Sequence, residues 1–476
     1  MLTASKLSST SPIPATNFQV SIISSMMETS LPFDAITPSQ FITFEDLNPL
    51  NHCRLLHTLQ LRVAVLDSPT AKSDDESPVI ATMIVPENME TDWNFCTESG
   101  HINLLFKFEN ISRLILIGNT PPPDQELDDY RRPPDFDPEE REMVKDELKP
   151  LIRVLHPKVS FNHGLLPEPL FVIYDDNVAY RVTIAKFTGP IVGEFLVEDV
   201  ELVGNQQLRR RMRFKRTPNL IQSEVILHPF SLFDITTPRD LESLRNNKNV
   251  TFEINTRLFV HQYLIAMVSG LSVISSYLNK HLSQMTLCLG IGGGVLLNFL
   301  LTQMGSHLTG VEADPMVLEA ARRHFGFNKS GPMEVFYPIV GDAIEYIQRF
   351  PRNKHRFQVV FVDLDASEAN NEFRAPPPEF VKKSVLQGLR FLVSENGVLI
   401  MNVVPLNEVL YVAMIEELKE IFHKVYEIDL ENEENFVVIA TPSADSSSNV
   451  DDRDNKFLKK LRSVIPGTYL NSIVEL

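Results

Sequence analysis

The sequence predicts an α/β fold: a parallel sheet closed by an antiparallel hairpin and preceded by a β-rich accessory region. Three observations carry that prediction. Residues 285–323 read as an apolar run, a glycine loop, an apolar helix, a second run ending in an acid and another helix. That order is the first strand-loop-helix-strand of a nucleotide-type α/β unit. Phe357–Asp363 is apolar but for Gln358 until its terminal acid, as expected of a strand covered on both faces. Lys424–Leu430 and Asn435–Ala440 flank the short polar segment Glu431–Glu434, which reads as a turn.

The glycine loop is the centre of the reading. Gly290, Gly292, Gly293 and Gly294 follow Leu287-Cys288-Leu289 directly, so the backbone can turn tightly and approach a ligand where a Cβ would collide. Glu312 lies 22 positions after Gly290, near the ~20 expected for a carboxylate that accepts hydrogen bonds from ribose hydroxyls. A dinucleotide needs GxGxxG so that a helix N-terminus can receive pyrophosphate. Here the loop reads GIGGGV, with Val295 in place of the third glycine. A ligand without phosphates tolerates that, and S-adenosyl-L-methionine is one. Two later stretches supply its remaining needs: Gly341-Asp342-Ala343 ends another apolar run where the adenine amino group would sit, and Asp363 ends the buried strand.

Composition bounds the function. A chain of 476 residues with 43% apolar and 22% charged side chains suggests roughly three folded domains. A net charge of -18 opposes general nucleic-acid binding and suits a basic protein substrate better. Cys53, Cys96 and Cys288 share no metal spacing and leave one unpaired, which points to a reducing, cytoplasmic setting. No apolar run reaches the ~18 residues of a membrane span.

Along the chain, residues 1–78 are expected to be a largely disordered leader, with a transit peptide as a minor reading, and one remnant strand at Leu59–Leu66; Ala71–Pro78 reads as a polar loop. Residues 79–120 form an accessory α/β segment with strands at Ile80–Val85 and Leu114–Gly118 and a helix near Ile102–Phe108. Residues 121–150 are an acidic proline-rich linker, whose DPEEREMVKDEL portion is a capped, exposed helix. Residues 151–250 are the β-rich accessory region, with a hairpin about Gly204-Asn205; its arginines from Arg209 to Arg216 should face the acids Glu198, Asp199 and Glu201 across the ladder. Residues 251–442 hold the nucleoside-binding domain. It opens with a helix at Arg257–Tyr277 carrying His261 and Gln262, and later has helices at Glu379–Leu392 and Glu408–Phe422 about a strand at Val398–Val404. Residues 443–476 are a linker, Ser443–Asp454, and a docking tail with one helix.

The stretches LGIGGGVLLNFL, VEADPMVLEAARRHFGF, VGDAIEYI and FVDLDA followed by APPPEFV resemble the C-terminal domain of the dual lysine and N-terminal methyltransferases of translation elongation factor 1-alpha, the methyltransferase-like 13 type. IVPENMETDWNF, GEFLVEDVEL and NLIQSEVIL resemble their accessory region, so the likeness runs over residues 79–441. It implies a Rossmann-like class I methyltransferase sheet, S-adenosyl-L-methionine as cofactor and transfer to a protein amine such as the elongation factor's N-terminus. Members of that family carry a further methyltransferase domain at the N-terminus; no glycine precedes Gly100, so activity of that first domain is expected to be missing. A homodimer is one assembly the reading admits.

The layout is also similar to spermidine synthase, which implies aminopropyl transfer as an alternative. Two departures weigh against it: Val295 replaces the aspartate of that family's extended loop, and Asp363-Leu364-Asp365-Ala366 lacks its second acid spacing and proline. A third reading is an inactive relative acting as a binding module. For methyl transfer, Asp363 and Asp365 are the candidate catalytic carboxylates, able to stabilise an ammonium developing on the acceptor. The expected cofactor residues are Gly290, Gly292, Gly293, Gly294, Glu312, Asp342, Ala343 and Asp363.

Overall fold

The computed structural model describes residues 33–476 apart from 51–55, 73–76, 109, 122–128, 135–137, 161–169, 205–206, 232–239, 248–249, 281–283, 328–334, 367–372, 431–434 and 444–453. The leader before residue 33, the Glu431–Glu434 turn and nearly all of Ser443–Asp454 therefore lie outside the described residues. The chain parts into two compact units, 1–176 and 177–476.

In the first unit, strands Phe41–Leu47, Gln60–Asp67, Arg113–Asn119, Ile80–Ile84 and Leu170–Val172 lie side by side in that order. The expected strands at 59–66, 80–85 and 114–118 are present within a residue or two, and the helix expected near Ile102 begins earlier, at Glu98, capped by Thr97. Two expectations are corrected. Phe41–Leu47 is a strand within the supposed leader; its FITFEDL alternation pairs antiparallel with Gln60–Leu66. The segment expected as an exposed helix in a linker is a helix from Pro138 to Leu155 that runs through Pro150 and buries Val144, Leu148, Ile152 and Leu155 against Val63, Val65, Ile115 and Ile117. Apolar residues three and four apart give it an inward face despite its acidity.

The second unit carries the predicted parallel sheet. Its strands run Phe336–Val340, His307–Glu312, Met285–Leu289, Phe357–Val362 and Val393–Pro405, all parallel, followed by antiparallel Phe436–Thr441 and Lys424–Asp429. In chain order this is 3-2-1-4-5-7-6, the expected Rossmann-like parallel sheet closed by an antiparallel hairpin. Alternate residues feed two cores: Cys288, Val359 and Phe361 pack on one face, Leu287, Leu289, Val360 and Val362 on the other. The helix expected from Arg257 to Tyr277 begins only at Gln262 and is interrupted by a 3-10 segment at Gly270–Ile274. That expected at Glu379 is likewise a short 3-10 turn, Pro378–Val381, before the helix Lys383–Leu392. The tail holds its one helix, Lys456–Val464, with Phe457, Leu458 and Leu461 in the first core, and then adds Val474–Glu475 to the sheet edge.

Before this sheet, strands Val178–Gly189, Gly193–Leu202, Leu208–Phe214, Ile221–Ser231 and Val250–Ile254 form an antiparallel meander. The expected charge ladder exists only in part: Glu198 stands opposite Arg211 and Asp199 opposite Arg210, but Arg209 and Arg211 turn to Glu224 of the following strand, and Glu201 accepts from the Leu241 N–H instead of an arginine. Arg210 grips Asp199 with bonds of 2.7 and 3.0 Å, and Arg213 meets Glu198 at 2.9 Å. The meander is fixed to the parallel sheet by Asp314, fully buried, whose Oδ2 accepts from the backbone N–H groups of Ile191 and Val192 at 2.9 Å while Oδ1 caps the helix Pro315–His324.

Candidate functional site

Strand order reverses between Met285–Leu289 and its neighbours on either side, His307–Glu312 and Phe357–Val362. Crossovers on opposite faces leave a crevice at the carboxyl ends of these strands, and a cleft of about 570 Å³ opens there. Gly290, Gly292, Glu312, Asp342, Ala343, Asp363 and Asp365, seven of the residues expected from sequence, all line it. A larger groove of about 840 Å³ follows the edge strand Phe336–Val340, but shares only Val311, Gly341 and Asp342 with the cleft.

The glycine loop is packed against its surroundings. Gly290 has φ +90°, and a Cβ there would fall 1.9 Å from the carbonyl oxygen of Asp363. Only glycine permits this approach, which brings the ends of the first and fourth strands together. Gly292, at φ +53°, faces the cleft. Gly293 and Gly294, also expected at the ligand, do not line it. They are small for packing: Gly293 donates its N–H to Ser223 Oγ at 2.7 Å, and a Cβ on Gly294 would fall 2.4 Å from the Phe327 ring.

Glu312 ends the second strand beneath this loop. Its Oε2 accepts from the N–H groups of Ile291 and Gly292, and Oε1 from that of Asp314, all at 3.1 Å. Burial pushes its pKa above the ordinary carboxylate range, and the three N–H donors oppose that shift. Asp342 caps the helix Ala343–Arg349 through the N–H of Glu345 at 2.8 Å. A carboxylate below a bare glycine turn, with another at the end of the third strand, fits an adenosyl group: ribose hydroxyls against Glu312 and the base beside Asp342 and Ala343.

Across the cleft stands Asp363. Tyr263 donates its hydroxyl to Oδ2 at 3.3 Å, and Asn402 its amide to Oδ1 at 3.2 Å. Burial raises its pKa to about 6; the bonds from Asn402 and Tyr263 pull the other way, and the nearby charge of Asp365 adds to the rise. Asp365, two residues on, is differently placed. It accepts from Arg216 at 2.8 Å, which offsets the upward push of burial on its pKa. Asp363 thus faces uncharged partners, whereas Asp365 is neutralised.

Ser223, Tyr263 and Asn402 were not singled out from sequence, and Arg216, expected to face the acids of the preceding strand, turns to Asp365 instead. Ser223 lies within NLIQSEVIL, already noted as distinctive, but nothing there reveals that its hydroxyl would hold the glycine loop. Tyr263 follows the flagged His261-Gln262 pair. His261 itself lines the cleft, 4.0 Å from Glu224, which is already gripped by Arg211 at 2.6 Å and Arg209 at 3.0 Å. Among the described residues no cluster of histidine, cysteine or acidic side chains could hold a metal ion, and no helix is long and apolar enough to cross a membrane.

No family model matches the chain. It is 27% identical over 425 residues to the eEF1A lysine and N-terminal methyltransferase of Xenopus laevis, covering 87% of this chain and 58% of that protein. The human protein of that name is 25% identical over 393 residues, covering 79% and 52%. Among solved structures, human methyltransferase-like protein 13 in complex with SAH aligns with 43% of this chain and 92% of its own, at 24% identity and a TM-score of 0.39. The chain spans between half and three-fifths of the length of these curated relatives. The chain is thus similar in sequence, over most of its length, to the eEF1A lysine and N-terminal methyltransferases.

Proposed function

We propose that this chain is an S-adenosyl-L-methionine-dependent methyltransferase acting on a protein amine, for which the N-terminus of translation elongation factor 1-alpha is the leading candidate. The observation that carries this reading is Asp363: one half-buried, ionisable carboxylate held by two neutral partners, facing a glycine loop and its ribose acid across one cleft. The names of the relatives support the same class of acceptor.

When bound, the cofactor supplies an electrophilic methyl group on a sulfonium. The chain's own residues do the rest. Glu312 and Asp342 orient the nucleoside; Gly290 and Gly292 let the loop approach it. Tyr263 and Asn402 fix the plane of the Asp363 carboxylate, so one oxygen can accept a hydrogen bond from the incoming amine and stabilise the positive charge it gains. A carboxyl group titrating near 6 is ionised at neutral pH, yet basic enough to share that proton. Asp365, expected as a second catalytic carboxylate, is assigned instead to positioning, because Arg216 holds it. With Asp365 held by Arg216, Asp363 alone faces the acceptor, which suits one ammonium better than a polyamine and weighs against aminopropyl transfer.

Incubation of the full chain with tritiated S-adenosyl-L-methionine and elongation factor 1-alpha tests the reading. Label should enter the factor, and blocking its α-amine by acetylation should stop incorporation. Label in the acetylated factor, or none in either, contradicts the proposed acceptor.

A further inference from the structure

The segment Lys215–Leu220, between strands Leu208–Phe214 and Ile221–Ser231, spans the cleft from the glycine loop to the end of the fourth strand. At one end Ser223 holds Gly293; at the other Arg216 holds Asp365. It is stiffened from within: Thr217 N–H bonds Phe214 O at 3.2 Å, Leu220 N–H bonds Thr217 O at 3.0 Å, and Arg213 reaches Pro218 O at 3.2 Å. The Arg216 guanidinium also lies 5.1 Å from the centre of the Phe214 ring.

This rigid loop turns polar groups inward without satisfying them. Both amide atoms of Asn219 and the Nε of Arg216 are buried and have no hydrogen-bond partner among the described residues, and both side chains line the cleft. Buried donors and acceptors are nearly always paired, so a preorganised loop with two donors and one acceptor left over marks a ligand contact. In the proposed function the other acids of the cleft have separate partners: Glu312 the ribose, Asp342 the base and Asp363 the incoming amine.

We infer that Arg216 and Asn219 bind the amino-acid end of S-adenosyl-L-methionine, its α-carboxylate accepting from Arg216 Nε and Asn219 Nδ2 and its α-ammonium donating to Asn219 Oδ1. The inference rests on the adenosyl reading of the cleft and goes beyond it, because it makes the accessory region the part that distinguishes a complete cofactor from a nucleoside ending at sulfur. The loop's attachment to Gly293 and Asp365 puts it over that end of the ligand, away from Asp342 and Ala343.

Calorimetric titration of the full chain with S-adenosylhomocysteine and with 5′-methylthioadenosine, which lacks the amino-acid group, tests this. The wild type should prefer S-adenosylhomocysteine by at least about tenfold. Asn219→Ala should remove most of that preference while leaving 5′-methylthioadenosine binding within about twofold. Arg216→Lys, which keeps a cation beside Asp365 but loses Nε, should act in the same direction. Equal affinity of the two ligands for the wild type overturns the assignment while leaving the adenosyl site standing, as does a variant that weakens only the acceptor's KM. Failure of the wild type to bind either ligand overturns both.

Discussion

The two walls of the cleft are built by opposite means. The sheet wall is apolar to its core, and its functional groups emerge only where the strands end: Gly290, Glu312, Asp342 and Asp363 each sit at or just beyond a strand's carboxyl terminus. The meander wall is held by buried ion pairs, Arg210 on Asp199, Arg213 on Glu198 and Arg211 on Glu224, and packs on the helix Pro315–His324 through an apolar cluster that joins Phe195, Met212 and Phe214 to Val317, Ala320 and Phe325. The difference teaches that, in the proposed function, the first wall grips the nucleoside, whereas the second supplies the cation that separates Asp365 from Asp363. Asp363 and Asp365 lie two residues apart, yet only Asp365 receives a cation from the meander.

Substitutions can break this contrast, beginning with the largest effect. Gly290→Ala places a Cβ against Asp363 O at a left-handed φ, and should cost about 3 kcal/mol or more in stability and abolish nucleoside binding. Thermal melting with calorimetry reads both. Asp363→Asn should lower methyl transfer by about 10²–10³ while making the protein more stable. The sign follows from burial: a carboxyl titrating near 6 in the folded chain, above its ordinary value, favours the folded state only while protonated. That stability is lost as pH rises through about 6, and an uncharged amide should recover at most about 3 kcal/mol of it at neutral pH. A variant both inactive and less stable than wild type would contradict this.

Ser223→Ala leaves the buried N–H of Gly293 without its acceptor and should cost about 1–3 kcal/mol, read as a lower melting temperature and weaker S-adenosylhomocysteine binding. The smallest effect belongs to Tyr263→Phe. Losing that hydroxyl removes a bond that favours the ionised Asp363, so the acid limb of the pH-rate profile should move to higher pH with little change in the plateau. A limb that stays in place removes Tyr263 from this role.

The sheet wall was legible in the sequence because its signals are local. A strand, a glycine turn and an acid about twenty residues on lie within one short stretch, and backbone geometry allows few other arrangements. Asp363 could be assigned to a strand end from the apolar run before it. The meander wall was legible only as a ladder, and only in part: Arg210 and Arg213 find the acids of the preceding strand, whereas Arg209 and Arg211 turn to Glu224 of the following one. Which arginine would leave the ladder for Asp365 was not visible, since Arg216 and Asp365 lie 149 residues apart and meet through tertiary packing alone. Tyr263, Ser223 and Asn402 were hidden for the same reason. Gly293 and Gly294 show the converse: glycines in a ligand loop whose small size serves their neighbours Ser223 and Phe327.

The central claim is that this cleft binds an adenosyl sulfonium between Gly292, Glu312 and Asp363. Titration of the intact chain with S-adenosyl-L-methionine tests it most directly. The account predicts saturable one-to-one binding that Gly290→Ala abolishes and Asp363→Asn leaves measurable; a flat titration of the wild-type chain would contradict it.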